Sequence, residues 1–135
     1  MKVVDASVAV LAVTDDGAGG AEARRALRAQ RVTAPSMIDL ELMSAVRKLR
    51  ARGRLSEARA QAAMAAFAAM PIRREHHAPM LARIWSLRDN VTPYDAAYVA
   101  LAEALDVPLI TADQRLTQAP GATCAFELIS PSTQG

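Results

Sequence analysis

The chain of 135 residues is long enough for one domain with a single core and leaves little room for a second. Apolar residues make up 52% and aromatics only 4%, so the core has to be aliphatic and alanine-rich; a net charge of +2, from 16 basic and 14 acidic residues, is too mild to announce a nucleic-acid binder. One cysteine, Cys124, excludes an internal disulfide, the N-terminus lacks a signal-peptide pattern, and no apolar run nears the roughly 20 residues that span a bilayer, so a cytoplasmic protein with no membrane partner is expected.

In chain order, Lys2 to Val4 is a short apolar strand and Ala6 to Val13 a helix. Thr14 to Gly20, "TDDGAGG", reads as a turn by its Gly and Asp content. Ala21 to Gln30 predicts a helix and Arg31 to Ala34 a strand. Pro35 and Ser36 open a long helix ending near Gly53, and Ser36-x-x-Asp39 matches a capping box. Ser56 and Glu57 start a helix that runs to Met70, before Pro71. Ile72 to Arg74 is a strand, His77 to Arg88 a helix, and "TPYD" starts a helix to Leu105. Leu109 to Thr111 and Phe126 to Ile129 are the last strands, and residues 131–135 form a C-terminal tail to a single domain of residues 1–130. Strands alternating with helices argue for an α/β fold with a parallel sheet covered on both faces.

In such sheets ligands sit at the carboxyl ends of the strands, where the strand order switches. Two acids stand there. Asp5 follows the first strand by one residue, and Asp113 follows Thr111 by two. Two helical acids can be placed by angle, at about 100° per residue. Glu41 lies on the margin of the stripe formed by Ile38, Leu42, Ala45, Val46 and Leu49, whereas Asp39 lies on the other side with a cap to make. Asp95 sits in line with Tyr98, Val99 and Ala102 on the inward face of an almost wholly apolar helix. A capping box at Thr92-Pro93-Tyr94-Asp95 also accounts for it, but capping alone does not require that face. Like charges about 4 Å apart repel by roughly 4 kcal/mol at an effective dielectric near 20, so four gathered carboxylates need protons or a cation. An all-oxygen donor set suits Mg²⁺ or Mn²⁺ over zinc. His76 and His77 diverge on a helix and read as solvated or capping residues.

The segments "VVDASV", "ELMSAV", "TPYDAAYVALAEAL" and "LITADQRL", in that order, make the chain similar to PIN domains, and within them to the VapC-type toxins of VapBC toxin–antitoxin pairs. The likeness runs from Met1 to Ile129. It implies a three-layer α/β/α fold with a central parallel sheet of four to five short strands. It also implies a Mg²⁺- or Mn²⁺-dependent endoribonuclease held inactive by a VapB-like antitoxin. Carried over residue by residue, Asp5, Glu41, Asp95 and Asp113 match the acidic quartet, with Asp5, Asp95 and Asp113 toward the metal and Ser7 and Thr111 as supporting hydroxyls. Ser44 stands where the family often has Asn, and Gln114 follows Asp113 where some relatives carry a further acid. Arg115 is the candidate for contacting RNA. The run "RKLRARGR", Arg47 to Arg54, divides between a solvated helix end and a grip on RNA or an acidic antitoxin tail. With so few aromatics a base-stacking platform is not expected. "QAAMAAFAAM", Gln61 to Met70, reads as core packing or as a face for a dimer partner or antitoxin helix, and a homodimer is expected. The competing reading is a non-catalytic PIN scaffold that only binds antitoxin or RNA; four intact, mutually repelling acids count against it.

Overall fold

A computed structural model of the chain describes residues 1–131. All but the first residue of the expected tail, 131–135, lies outside them. The elements are β1 (Lys2–Val4), α1 (Ala6–Thr14), α2 (Ala18–Arg28), β2 (Val32–Pro35), α3 (Ile38–Ala51), α4 (Glu57–Ala68), β3 (Ile72–Glu75), a 3₁₀ turn (Ala78–Met80), α5 (Leu81–Ser86), α6 (Pro93–Leu105), β4 (Leu109–Thr111), α7 (Gln114–Thr117) and β5 (Phe126–Leu128). The strands form one five-stranded sheet in the order β3-β2-β1-β4-β5, every pairing parallel. From β1 the chain winds outward through β2 to β3, then crosses back to β4 on the other side of β1. The order therefore switches between β1 and β4, the place where an open parallel sheet offers a crevice.

Strands buried on both faces read as continuous apolar runs. Val3 and Val4 of β1, Leu109 and Ile110 of β4, and Val32 and Ala34 of β2 are all buried. The two central helices are apolar all round for the same reason. α1 packs against α2, α3, α4 and β4, whereas α6 packs against β1, β2, β4 and α5. Every residue of α6 from Ala96 to Ala102 is buried, and the many alanines let its backbone approach the sheet closely. The result is the expected three-layer α/β/α arrangement.

Four local expectations are corrected. The turn over 14–20 shrinks to residues 15–17, because α2 begins at Ala18 and buries Gly19 and Gly20 against α1. The capping box at Ser36 does not form. α3 starts at Ile38 with no side-chain cap, Ser36 donates to the Glu75 carbonyl, and Asp39 turns outward to a two-oxygen pair with Arg74 of β3. The helix over 77–88 breaks into the 3₁₀ turn and α5, with Pro79 inside the turn. β5 is shorter by one residue than the expected span to Ile129. The predicted stop of α3 does stand: Gly53, at φ +74°, lets Arg54 N–H reach the Leu49 carbonyl and Gly53 N–H the Arg50 carbonyl, satisfying the last turn.

Gly20 is a packing requirement. A Cβ placed there would lie 1.8 Å from the Asp15 carbonyl oxygen, a backbone atom that cannot swing aside. An alanine in a helix is otherwise favoured over glycine by about 1 kcal/mol, so the sign of Gly20→Ala decides the point. We expect it to destabilise by about 1–3 kcal/mol, lowering the melting temperature by roughly 5–10 °C. An unchanged or raised melting temperature would show that α1 and α2 can separate freely.

Candidate active site

β1 delivers Asp5 to the carboxyl edge of the sheet in an extended conformation, where it caps α1 by accepting from Val8 N–H at 3.3 Å. Its carboxylate is buried and both oxygens are engaged. Ser7 Oγ donates to Oδ1 and Thr111 Oγ1 to Oδ2, each at 2.5 Å. Each hydroxyl in turn accepts a backbone N–H from the exit of β4: Ala112 N donates to Ser7 Oγ at 2.9 Å, and Asp113 N to Thr111 Oγ1 at 3.0 Å. Two relays thus tie the end of β1 to the turn that carries Asp113. Burial pushes the Asp5 carboxyl up to about 6 against the opposing pull of these hydrogen bonds, and the charge of Asp95 adds to the rise.

The other three acids are linked to that point by charge, Asp95 directly and Glu41 and Asp113 through Asp95. Thr92 caps α6 by accepting from Asp95 N–H at 3.2 Å, so the helix start needs Thr92. The half-buried Asp95 carboxyl is raised first by burial and then by the charge of Asp113, while Thr92 and Arg115 pull it back. Asp113 caps the short α7 through Arg115 N–H at 3.0 Å, and the Arg115 guanidinium stands 3.6 Å from its carboxylate. Glu41, half-buried on α3, receives a 2.6 Å hydrogen bond from the Tyr98 hydroxyl; burial raises its pKa, and Asp95 raises it further. Asp95 is the hub: its charge acts on Asp5 and Glu41, and Asp113 acts on it.

A hard divalent cation fits this donor set. All four groups are carboxylates; three of them have pKa values raised first by burial and then by the charge of a neighbouring acid, and a cation would offset both. Among the described residues no three acidic, His or Cys side chains close into a ready-made cage. Water would have to complete the shell, which suits Mg²⁺ in particular. Beside the acids runs a cleft of about 560 Å³ whose wall includes Asp95, Asp113, Arg88, Arg115 and Thr92. The Arg115 side chain is 94% exposed on its lip. The histidines lie away from it, exposed, and His76 Nδ1 accepts from Ala78 N–H as a local cap. Arg47, Lys48, Arg50, Arg52 and Arg54 are exposed along the end of α3, Arg50 paired with Glu57.

Two residues escape the sequence reading. Tyr98 is almost fully buried, and burial, its bond to Glu41 and the charges of Glu41, Asp5 and Asp95 hold its hydroxyl far above the ordinary phenol value. It is therefore a permanent proton donor in the middle of the acids. The signal was its position three residues after Asp95 on one helix face. Arg88 had no such signal, because only the fold brings the α5–α6 connection against α7.

Comparison with known proteins follows the same outline. The PIN-domain family profile matches residues 2–122. Ribonuclease VapC1 of Mycobacterium tuberculosis is 43% identical over 128 residues, covering 94% of this chain and 96% of its own. Ribonuclease VapC12 of the same organism is 42% identical over 130 residues, covering 96% and 100%. Among solved structures, VapBC2 from Rickettsia felis bound to a DNA fragment from its promoter superposes with a TM-score of 0.67 at 15% identity, over 93% of this chain and 96% of that one.

The burial of Asp5 has a measurable consequence. Its folded pKa, about 6, lies above the ordinary carboxylate value, so its stabilising contribution is complete in acid and is lost as pH rises through 6. The whole loss, from below about pH 4 to above pH 6, corresponds to about 3 kcal/mol, of which about half falls between pH 5 and pH 7.5. Glu103, held at about 2 chiefly by Arg83, has the opposite sign but acts only below its ordinary value, outside that window. Without divalent cations, urea unfolding should therefore show greater stability at pH 5 than at pH 7.5. Glu41 and Asp95, also raised, act in the same direction, so Asp5→Asn should reduce the difference without abolishing it; an equal slope in both proteins would remove Asp5 from the account.

Proposed function

The chain belongs to the PIN-domain family, among its VapC-type ribonucleases, and on that premise we propose that Asp5, Glu41, Asp95 and Asp113 bind Mg²⁺ or Mn²⁺ and hydrolyse RNA phosphodiesters. The observation that carries this reading is the buried Asp5 carboxylate, locked by two hydroxyl relays at the switch of strand order and coupled by charge to Asp95. A structural acid has no reason to sit among three others at that edge.

The bound cation would supply charge neutralisation at the phosphate and a water of lowered pKa. The chain's own residues do the rest. Ser7 and Thr111 fix both oxygens of Asp5, so this carboxylate keeps one orientation throughout. Tyr98 fixes one oxygen of Glu41 and cannot take up its charge, leaving the other oxygen to orient water or accept its proton. Asp95 and Asp113 present carboxylates to the cleft from α6 and from the cap of α7. Arg115, at the lip, restrains Asp113 and is placed to meet a phosphate of the incoming strand.

By its kinship the chain is the toxin of a toxin–antitoxin pair with a VapB-like antitoxin as partner. A groove of about 440 Å³ between α3 and α4, lined by Met43, Val46, Ala60 and Met64, is apolar, with Arg47 and the Arg50–Glu57 pair on its rim. That composition suits an acidic amphipathic segment of the antitoxin. We further propose a homodimer. Light scattering on the isolated protein should give twice the chain mass, and a monomer at every accessible concentration would oppose it.

The catalytic reading is tested by single-stranded RNA cleavage with and without EDTA. Wild type should cut only with Mg²⁺ or Mn²⁺. Asp5→Asn, Asp95→Asn and Asp113→Asn should each lose activity by orders of magnitude. Cleavage by Asp95→Asn within a few-fold of wild type would reduce Asp95 to a residue of the helix cap, and cleavage unaffected by EDTA would remove the metal.

A further inference from the structure

Composition argues against an extended stacking platform, since the chain holds only one Trp, two Tyr and two Phe. The fold nevertheless leaves the single indole in the open. Trp85, on α5, is 66% exposed, although a residue of its type is normally well buried. The guanidinium of Arg88 lies over its ring at 4.6 Å from the centroid and is anchored there by a 3.0 Å hydrogen bond from Arg88 Nη1 to the Trp85 carbonyl. Arg88 also lines the cleft that holds Asp95, Asp113 and Arg115. One flat cation therefore joins an exposed aromatic surface to the acids.

From this we infer that Trp85 and Arg88 form a subsite for an unpaired base of the RNA, next to the phosphate addressed by the acids. The inference rests on the ribonuclease reading and adds where the strand beside the cut is held. Three features converge on that occupant. Arg88 and Arg115 put two cations on the wall and lip of a cleft whose other charges are carboxylates, so a polyanion has phosphate contacts there beside the cation site. An exposed indole with a guanidinium over its ring offers an aromatic surface that any base can stack upon, with cation–π attraction added. The arrangement is also open on its outer side, since Trp85 and its neighbours Ser86 and Arg88 are exposed. A base held in a duplex could not reach both the ring and the cleft, so the subsite selects single-stranded or unpaired positions.

Because Trp85 is the only tryptophan, its fluorescence reports on the subsite directly. The full chain, held in EDTA so that nothing is cut, would be titrated with an unlabelled single-stranded oligouridylate, with the same strand carrying abasic positions, and with duplex RNA; anisotropy of a labelled strand would follow binding independently. We expect quenching by the single strand and little by the abasic strand or the duplex. Trp85→Ala should weaken single-strand binding by about tenfold, Trp85→Phe should restore most of it, and Arg88→Ala should weaken binding and abolish the selectivity against abasic strands. Unchanged melting temperatures would confirm that these exposed substitutions leave the fold intact. Binding without quenching, or a Trp85→Ala protein that binds and cleaves as wild type, would overturn the subsite and leave the ribonuclease reading standing. Loss of cleavage in wild type itself would strike the ribonuclease reading first. If Trp85→Ala instead turns a dimer into a monomer while RNA binding is unchanged, the indole serves contact between two copies and the proposal fails.

Discussion

A carboxylate taken out of water at the end of a strand has to be held on both oxygens, and Asp5 is held in a way that organises the rest of the site. Its two oxygens accept from Ser7 and Thr111, and those hydroxyls accept from Ala112 and Asp113 of the neighbouring crossover. A hydroxyl that has accepted one N–H is left with a proton to give, and only an acceptor in the right place completes the relay. The ionised form of Asp5 is that acceptor. The parallel pairing of Val4 with Ile110 brings the two strand ends side by side, so sheet register and acid geometry are one constraint.

The same constraint explains why the acids coexist in the folded chain. Burial first, and the charge of a neighbouring acid after it, raise the pKa values of Asp5, Glu41 and Asp95 and cost stability near neutral pH. That cost is of the order of burying one or two large aliphatic side chains, about 1.5–3 kcal/mol each, and the core of Val3, Val4, Val8, Ile38, Leu42 and Ile110 is ample to absorb it. Neutral and cationic partners limit it further. Tyr98 supplies a proton that it does not lose, and Arg115 offsets part of the charge on Asp95 and Asp113. The acids are thus tolerable in the fold without metal, so the cation proposed for them would not be needed for folding.

Much of this was legible in the amino-acid sequence because strong local patterns agree with the fold. Apolar strands ending in Asp5 and Thr111, and a helix whose inward face carries Asp95, fix where those acids go before any coordinates are known. The misreadings at residues 14–20 and at Ser36 share one cause, a tertiary partner overriding a local signal. Ser36 and Asp39 match a capping box, yet β3 supplies a better partner for each, the Glu75 carbonyl and Arg74. Gly20 looks like a turn residue, yet it serves a close contact between α2 and the end of α1. Tyr98 looked like core and is also a hydrogen-bond donor to an acid on another helix. Arg88 and Trp85 gain meaning only when α5 is laid beside α7, which no spacing in the chain reveals.

Isothermal titration of the metal-free protein with Mn²⁺ tests the central claim most directly, because it needs neither an RNA nor a catalytic rate. Saturable binding is predicted at pH 7.5, weaker at pH 5 where Asp5 is protonated, and weaker than wild type by more than about tenfold in Asp95→Asn, which removes the hub of the coupled acids. Absence of saturable binding in the wild-type protein, or identical binding by Asp95→Asn, would contradict the claim that these carboxylates are gathered to hold a cation.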